Sequence, residues 1–227
     1  MSENGTLVSV ASQLKSLAGQ GFRKTVGKLA SRMLPTEVRG PEPEYAPSLS
    51  GRHVGNCRVF PRREDMLTLV PKGSICAEVG TETGYFSAEI LTKTTPKLLH
   101  LLDLNLSAIR YDLYPLREAI DRGQVVLHEG DSSTLLSTFP DLHFDWLYVD
   151  GDHSYAGVMR DIAQVSRVVK HDGIIVFNDY TQYSPIERAP YGVMKAVNEL
   201  CLKGAFELIG LALHGMGYHD VAVRRIQ

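Results

Sequence analysis

Ile75-Cys76-Ala77-Glu78-Val79-Gly80-Thr81-Glu82-Thr83-Gly84-Tyr85 opens the part of the chain whose pattern decides the fold. A short apolar run ends in an acid and a glycine-bearing turn, and a helical stretch from Phe86 to Thr92 follows. Strand, turn and helix then recur. Leu98 to Leu102 reads as the second strand and Ser107 to Ala119 as the second helix. Val125 to His128 is the third strand, with a short helix near Ser133 to Ser137. Trp146 to Val149 is the fourth strand and Tyr155 to Val169 a long helix. Ile174 to Phe177 is the fifth strand, and Tyr191 to Leu202 a helix that Gly204 closes at its C′ position. Phe206 to Leu213 and Tyr218 to Ile226 flank Gly215-Met216-Gly217 as an antiparallel hairpin. The expected class is α/β: a Rossmann-like, seven-stranded sheet of five parallel strands plus that hairpin, with helices on both faces.

Outward from this region the chain changes character. In residues 1–40, Lys15, Arg23, Lys24, Lys28, Arg32 and Arg39 face only Glu3 and Glu37. Leu7, Val10, Leu14, Leu17, Phe22, Val26, Leu29 and Met33 recur at helical steps, with Gly19 and Gly21 between two amphipathic stretches. A basic amphipathic segment can lie on an anionic membrane, but this one has no Trp and many small residues. It reads instead as an arm packed on its own domain or on a second copy. Residues 35–51 carry Pro41, Pro43 and Pro47 and read as a linker or lid. The division is therefore 1–51, arm and proline-rich segment, and 52–227, the sheet domain. A short helix is expected around Arg63 to Leu69, before the Pro71-Lys72-Gly73 turn.

Composition narrows the partners. The chain has 227 residues, 44% apolar and 22% charged, with a formal net charge of −2. A dedicated nucleic-acid binder would draw its affinity from a positive excess that is missing here. Cys57, Cys76 and Cys201 are odd in number and form no CxxC pair, which argues against a disulfide framework or a zinc site. No apolar run approaches the roughly 20 residues that span a bilayer. The expectation is a cytoplasmic protein with no nucleic-acid partner and no membrane span, in a homodimer or higher homo-oligomer.

In an open parallel sheet, ligands bind at the carboxyl ends of the strands. All five predicted strands deliver an acid there: Glu78, Asp103, Asp131 after Glu129, Asp150 and Asp179. Clustered carboxylates repel one another, so a merely structural sheet has no use for them. A diphosphate would want free helix amides without negative charge, whereas this first turn holds Glu78 and Glu82. Asp103 can accept from two ribose hydroxyls, and Asp131 and Ser132 stand where an adenine edge would be. The pattern suits a nucleoside with a cationic substituent and no phosphate.

Glu78-Val79-Gly80-Thr81-Glu82-Thr83-Gly84-Tyr85 resembles the first motif of class I S-adenosylmethionine-dependent methyltransferases. It is similar to the variant in catechol and caffeoyl-coenzyme A O-methyltransferases that lacks the central glycine. Trp146-Leu147-Tyr148-Val149-Asp150-Gly151-Asp152-His153-Ser154-Tyr155 and Gly173-Ile174-Ile175-Val176-Phe177-Asn178-Asp179-Tyr180 resemble a bacterial family that includes the macrocin-type O-methyltransferases. The likeness covers residues 74–227. It implies that Glu78 and Gly80 support the methionine part of S-adenosylmethionine, Gly84 turns into the helix, Asp103 binds ribose, and Asp131 and Ser132 meet the adenine side. Thr81, Tyr85, Phe86, Leu104 and Asp150 complete the implied cofactor-binding set. Asp150 matches an acid that ligates a divalent metal in the catechol-type enzymes, and Asp179 a second, so Mg²⁺ is an implied cofactor. In that pattern an Asn follows the second acid; here Tyr180 follows and Asn178 precedes.

Methyl transfer from a sulfonium is an in-line displacement, and the enzyme aligns acceptor and methyl carbon. The acceptor hydroxyl must also lose its proton. A metal on Asp150 and Asp179 is one route; His153 as general base is the other. His153 can equally cap a helix or simply bond Asp150, and Asp152 reads as a helix N-terminal charge. Tyr180, Tyr183, Glu187 and Arg188, in the loop after strand five, are candidates to touch a small hydroxyl acceptor, a sugar or secondary metabolite. Two other functions are carried alongside. A nicotinamide-dependent oxidoreductase predicts a full GxGxxG, which Gly80-Thr81-Glu82-Thr83-Gly84 lacks. A non-catalytic, cofactor-binding interaction protein predicts that Asp150 and Asp179 are replaceable.

Overall fold

Alternation along the strands accounts for a sheet buried on both faces. The computed structural model describes residues 45–226; the helices expected in the first 40 residues lie outside them. Strands β2 (Ile75–Val79), β3 (Leu98–Asp103), β4 (Val125–Glu129), β5 (Phe144–Val149) and β6 (Val169–Phe177) are the five expected parallel strands. Ala77, Val79, Leu147, Val149, Ile175 and Phe177 point to one core, and Cys76, Trp146, Tyr148, Ile174 and Val176 to the other. Helices α5 (Ser132–Ser137), α6 (Tyr155–Val168) and α7 (Val193–Gly204) cover the first face. Helices α2 (Arg63–Met66), α3 (Tyr85–Thr94) and α4 (Leu116–Asp121) cover the second. Each fully buried large apolar side chain, Leu147 or Ile175 for example, contributes about 1.5–3 kcal/mol through removal from water.

With β1 (Arg58–Phe60), β9 (Phe206–Ala212) and β10 (Asp220–Arg225), the sheet order is β1-β9-β10-β6-β5-β2-β3-β4. Strand β10 (Asp220–Arg225) runs antiparallel to both β6 and β9 (Phe206–Ala212), as the hairpin predicted. Among the described residues the sheet has eight strands rather than seven. The addition is β1 (Arg58–Phe60), three residues paired in parallel with β9 at the sheet's edge. Two of its three side chains are exposed, so it carries no apolar pattern. A separate two-stranded ribbon, β7 (Tyr183–Ser184) with β8 (Ala189–Pro190), shapes the loop after β6. Ahead of these, Ser50 precedes the single-turn helix α1 (Gly51–Val54), Leu49 packs on the core, and Asn198 Nδ2 donates to Pro47 O at 2.7 Å.

Two helix expectations change. The stretch Ser107 to Ala119 holds a 3-10 turn at Leu106–Ala108 and then α4, which begins only at Leu116. Pro115 has no N–H and disfavours helix in the residue before it, so the helix starts after it. Tyr111 and Tyr114 consequently stand exposed off any helix. At the end of α7 the left-handed residue is Ala205 (φ 55°, ψ 44°), and Gly204 is the last helical one. Ile226 N donates to Ala205 O at 2.7 Å and ties that reversal to the end of the sheet.

Candidate active site

The chain winds outward from β2 through β3 to β4, then returns to β5 and β6 on the other side. The order therefore reverses between β2 and β5, where an open α/β sheet forms a crevice. Gly80 and Asp150 follow these two strands. Asp150 N donates to Val79 O at 2.8 Å and Gly80 N to Leu102 O at 2.8 Å. Gly80 has φ +80°, and a Cβ built on it would lie 1.7 Å from the Asp150 carbonyl oxygen. Only glycine permits this approach.

Beside this floor lies a cavity of about 500 Å³, lined by Gly80, Asp103, Leu104, Asp131, Ser132, Asp150, Arg160 and Asp161 among others. Asp103 Oδ2 accepts from Glu82 N at 2.8 Å and Oδ1 from Asn105 N at 2.9 Å, so two amides hold the carboxylate at the strand end. Asp131 lines the same wall but also caps α5: its Oδ1 accepts from Thr134 N at 2.9 Å and Ser133 Oγ at 2.7 Å. These bonds hold its carboxyl below the usual range. Ser132 Oγ donates to Asp161 Oδ1 at 2.6 Å. Asp161 is buried, and burial raises its pKa.

A second cavity, of about 280 Å³, shares Gly80, Asp103 and Asp150 with the first. Glu78, Thr81, Tyr85, Phe86, Arg63 and His153 also line it. Strand alternation turns Glu78 to the α3 side, where Ser87 Oγ donates to it. Burial pushes the Glu78 carboxyl up to about 8; the Ser87 bond opposes this and Asp150 adds to it. Thr81 Oγ1 is buried with no hydrogen-bond partner among the described residues. An orphaned hydroxyl, a glycine floor and a wall of acids fit the cationic methionyl end of S-adenosylmethionine, and the larger cavity fits its nucleoside.

The third cavity, about 660 Å³, shares His153 and Arg63 with the second and is bordered by Asp179, Glu187, Tyr191, Tyr218 and Asp220. His153 Nε2 lies 3.2 Å from Asp150 Oδ1 and 3.8 Å from Asp179 Oδ2. Its ring stacks on Tyr191, centroids 4.6 Å apart and planes 9° apart. Burial pulls the imidazole pKa down, but the bond and charge of Asp150, with Asp179 and Glu187, outweigh it, and the net shift is upward. Asp179 takes a left-handed backbone (φ 52°), one that Asp tolerates better than most residues. Burial raises its pKa, opposed by His153. Asp152 accepts from Ser154 N at 2.9 Å at the start of α6.

Of the four loop candidates only Glu187 lines this cavity. Tyr180 turns away to α7, where its hydroxyl donates to Asn198 Oδ1 at 2.5 Å and its ring packs on the core. The sequence reading missed Arg63, Asp161, Tyr191 and Asp220. Asp161, Tyr191 and Asp220 follow no parallel strand, and Arg63 follows β1, which carries no apolar pattern, so the strand-end rule cannot find them. Asp220 sits in the hairpin and accepts from Tyr148 OH at 2.6 Å and from Asn178 Nδ2 at 3.0 Å; burial raises it to about 7. Elsewhere His100 Nδ1 and His128 Nε2 meet at 2.8 Å beside His143, although the sequence spaces them without pattern.

Mg²⁺ takes oxygen donors in near-octahedral geometry. Here the imidazole of His153 stands between Asp150 and Asp179, and this donor set does not fit such an ion as it stands. Among the described residues, no group of three or more His, Cys, Asp or Glu is arranged to hold a metal. No helix among them is long and apolar enough to cross a membrane.

Residues 77–180 match the model of a methyltransferase domain family. An uncharacterized protein of Acanthamoeba polyphaga mimivirus, R132, is 39% identical over 66 residues. That match covers 29% of this chain and 28% of the relative's length. The pyocyanin biosynthetic protein PhzM superposes with a TM-score of 0.55 at 19% identity, over 72% of this chain and 54% of that one. The O-methyltransferase TomG of Streptomyces achromogenes, in complex with S-adenosylmethionine, gives 0.53 at 16% identity, over 68% and 74%. At these identities the structural likeness is one of fold. Together these findings show that residues 77–180 match a methyltransferase domain, set in a fold that the chain shares with PhzM and TomG.

Proposed function

We propose that the chain transfers the methyl of S-adenosylmethionine to a hydroxyl of a small molecule, with His153 as general base. The observation that carries this reading is the position of His153. It lies on the wall of both the methionyl-end cavity and the larger cavity beyond, between two carboxylates. When bound, S-adenosylmethionine supplies an electrophilic methyl on a cationic sulfur. Asp103 holds the ribose, and Glu78 and Thr81 the methionyl end. Asp150 accepts from Nε2–H of His153, which leaves the Nδ1 lone pair to take the acceptor's proton. Asp150 and Asp179 stabilise the imidazolium so formed, and the stacked Tyr191 fixes the ring plane. The acceptor oxygen gains the methyl, and the sulfur leaves as a neutral thioether.

The test is calorimetric titration with S-adenosylmethionine followed by turnover with a panel of hydroxylated sugars and phenols. Asp103→Ala should lose cofactor binding. His153→Gln should keep binding and lose turnover roughly 10²- to 10⁴-fold, the usual contribution of a general base. An interaction protein would instead bind its partner unchanged after Asp150→Ala and Asp179→Ala. A metal on Asp150 and Asp179, the other route offered by the sequence, would fit only if His153 moved aside. Turnover that survives a chelator supports the imidazole route; turnover restored only by Mg²⁺ refutes it.

A further inference from the structure

Among the described residues, Arg63 is the one Lys or Arg on the wall of the methionyl-end cavity, whose acids are Glu78, Glu82, Asp103 and Asp150. Those acids match the ammonium and sulfonium of S-adenosylmethionine. The same methionyl end also carries a carboxylate, which they repel. The Arg63 guanidinium lies over the Phe86 ring, 4.5 Å from its centroid, at the first turn of α3. Among the described residues it makes one long hydrogen bond and one loose ion pair. Nη1 is 3.4 Å from Tyr148 OH, and Nε is 3.7 Å from Glu64 Oε1. A guanidinium has five N–H donors in a planar fork suited to carboxylates. Here the ring lies against it, most of the fork has no hydrogen-bond partner among the described residues, and the side chain is half-buried.

Resting on the S-adenosylmethionine reading above, we propose that Arg63 receives the α-carboxylate of the methionyl end. The cofactor site would then span two parts of the chain. The sheet edge recognises the nucleoside and positive groups, and α2, which precedes the first strand of the βα pattern, recognises the negative one. Arg63 also lines the larger cavity, so an anionic acceptor is the competing source of a carboxylate.

The experiment is calorimetric titration of the full chain and of Arg63→Gln with S-adenosylmethionine, decarboxylated S-adenosylmethionine and 5′-methylthioadenosine. Charge-assisted bonds of this kind set the scale, roughly 10- to 100-fold in Kd. The wild-type chain should bind the decarboxylated ligand weaker by that factor. Arg63→Gln should weaken S-adenosylmethionine equally, yet bind the decarboxylated ligand and 5′-methylthioadenosine as the wild type does. Retained 5′-methylthioadenosine binding also reports a folded site. Should Arg63→Gln not fold, Arg63→Lys keeps the charge without the fork and should lose part of the discrimination. Unchanged S-adenosylmethionine binding by either folded variant, or no discrimination by the wild type, overturns the assignment. Failure of the wild type to bind S-adenosylmethionine at all refutes the methyltransferase reading itself.

Discussion

Replacing Glu78 with Gln should stabilise the free protein at alkaline pH while weakening its binding of a cationic ligand. Glu78 is buried and its carboxyl rises from 4.5 to about 8 on folding. The folded state therefore holds the proton more tightly than the unfolded chain. Stability from this group is fully present below pH 4.5 and is lost as pH climbs towards 8. Each pKa unit corresponds to about 1.36 kcal/mol, so the full interval is worth about 5 kcal/mol. Gln cannot ionise and escapes that loss. Its carbonyl can still accept from Ser87 Oγ, but it brings an N–H₂ group into a buried site at about 1–3 kcal/mol. The variant should be less stable than wild type near pH 5 by that amount and more stable above pH 8.5 by about 2–4 kcal/mol. Urea unfolding from pH 5 to 9 would show two curves that cross. Calorimetry in two buffers of different ionisation enthalpy should also show that wild type releases more protons on binding S-adenosylmethionine than Glu78→Gln does. Parallel stability curves, or equal proton release, would refute the argument that Glu78 is held protonated until a cation arrives.

Gly80→Ala combines a left-handed backbone penalty of about 1–2 kcal/mol with a Cβ 1.7 Å from the Asp150 carbonyl. It should destabilise by at least about 3 kcal/mol and lower the melting temperature by roughly 6–12 °C. Thr81→Val removes a buried hydroxyl with no partner among the described residues. The free protein should melt at the same or a higher temperature, while S-adenosylmethionine binds more weakly; a destabilised free protein would mean the hydroxyl is already satisfied. A base must be unprotonated, and the carboxylates raise the pKa of His153. Turnover should therefore rise with pH through an acidic limb above the ordinary imidazole value. In Asp150→Asn that limb should move to lower pH, and an unmoved limb would exclude His153 as the group observed.

The strand-by-strand pattern was legible because both faces of a parallel sheet are buried. Apolar runs such as Leu98–Leu102 and Trp146–Val149 then stand out against their polar ends. For the same reason Glu78, Asp103, Asp150 and Asp179 were readable as acids gathered at one edge of the sheet, where they line its cavities. Direction and connection alone bring the carboxyl ends of parallel strands to one edge. Local chemistry of single residues was harder to read. Pro115 shortened a helix, and Ala205 rather than Gly204 took the left-handed turn, because neighbouring strands hold it there. Strand β1 carries no apolar period, since its order comes from pairing with a strand about 150 residues later.

By itself, then, the sequence determined the α/β class, the acid-lined edge and the type of cofactor that edge suits. Those follow from periodicity and chain direction, which are local. Only the tertiary structure set His153 between Asp150 and Asp179 against Tyr191. It alone closed the cavity with the hairpin's Asp220 and brought Arg63 onto Phe86. Those contacts join residues far apart in the chain, and they depend on packing angles and strand register that no local pattern encodes.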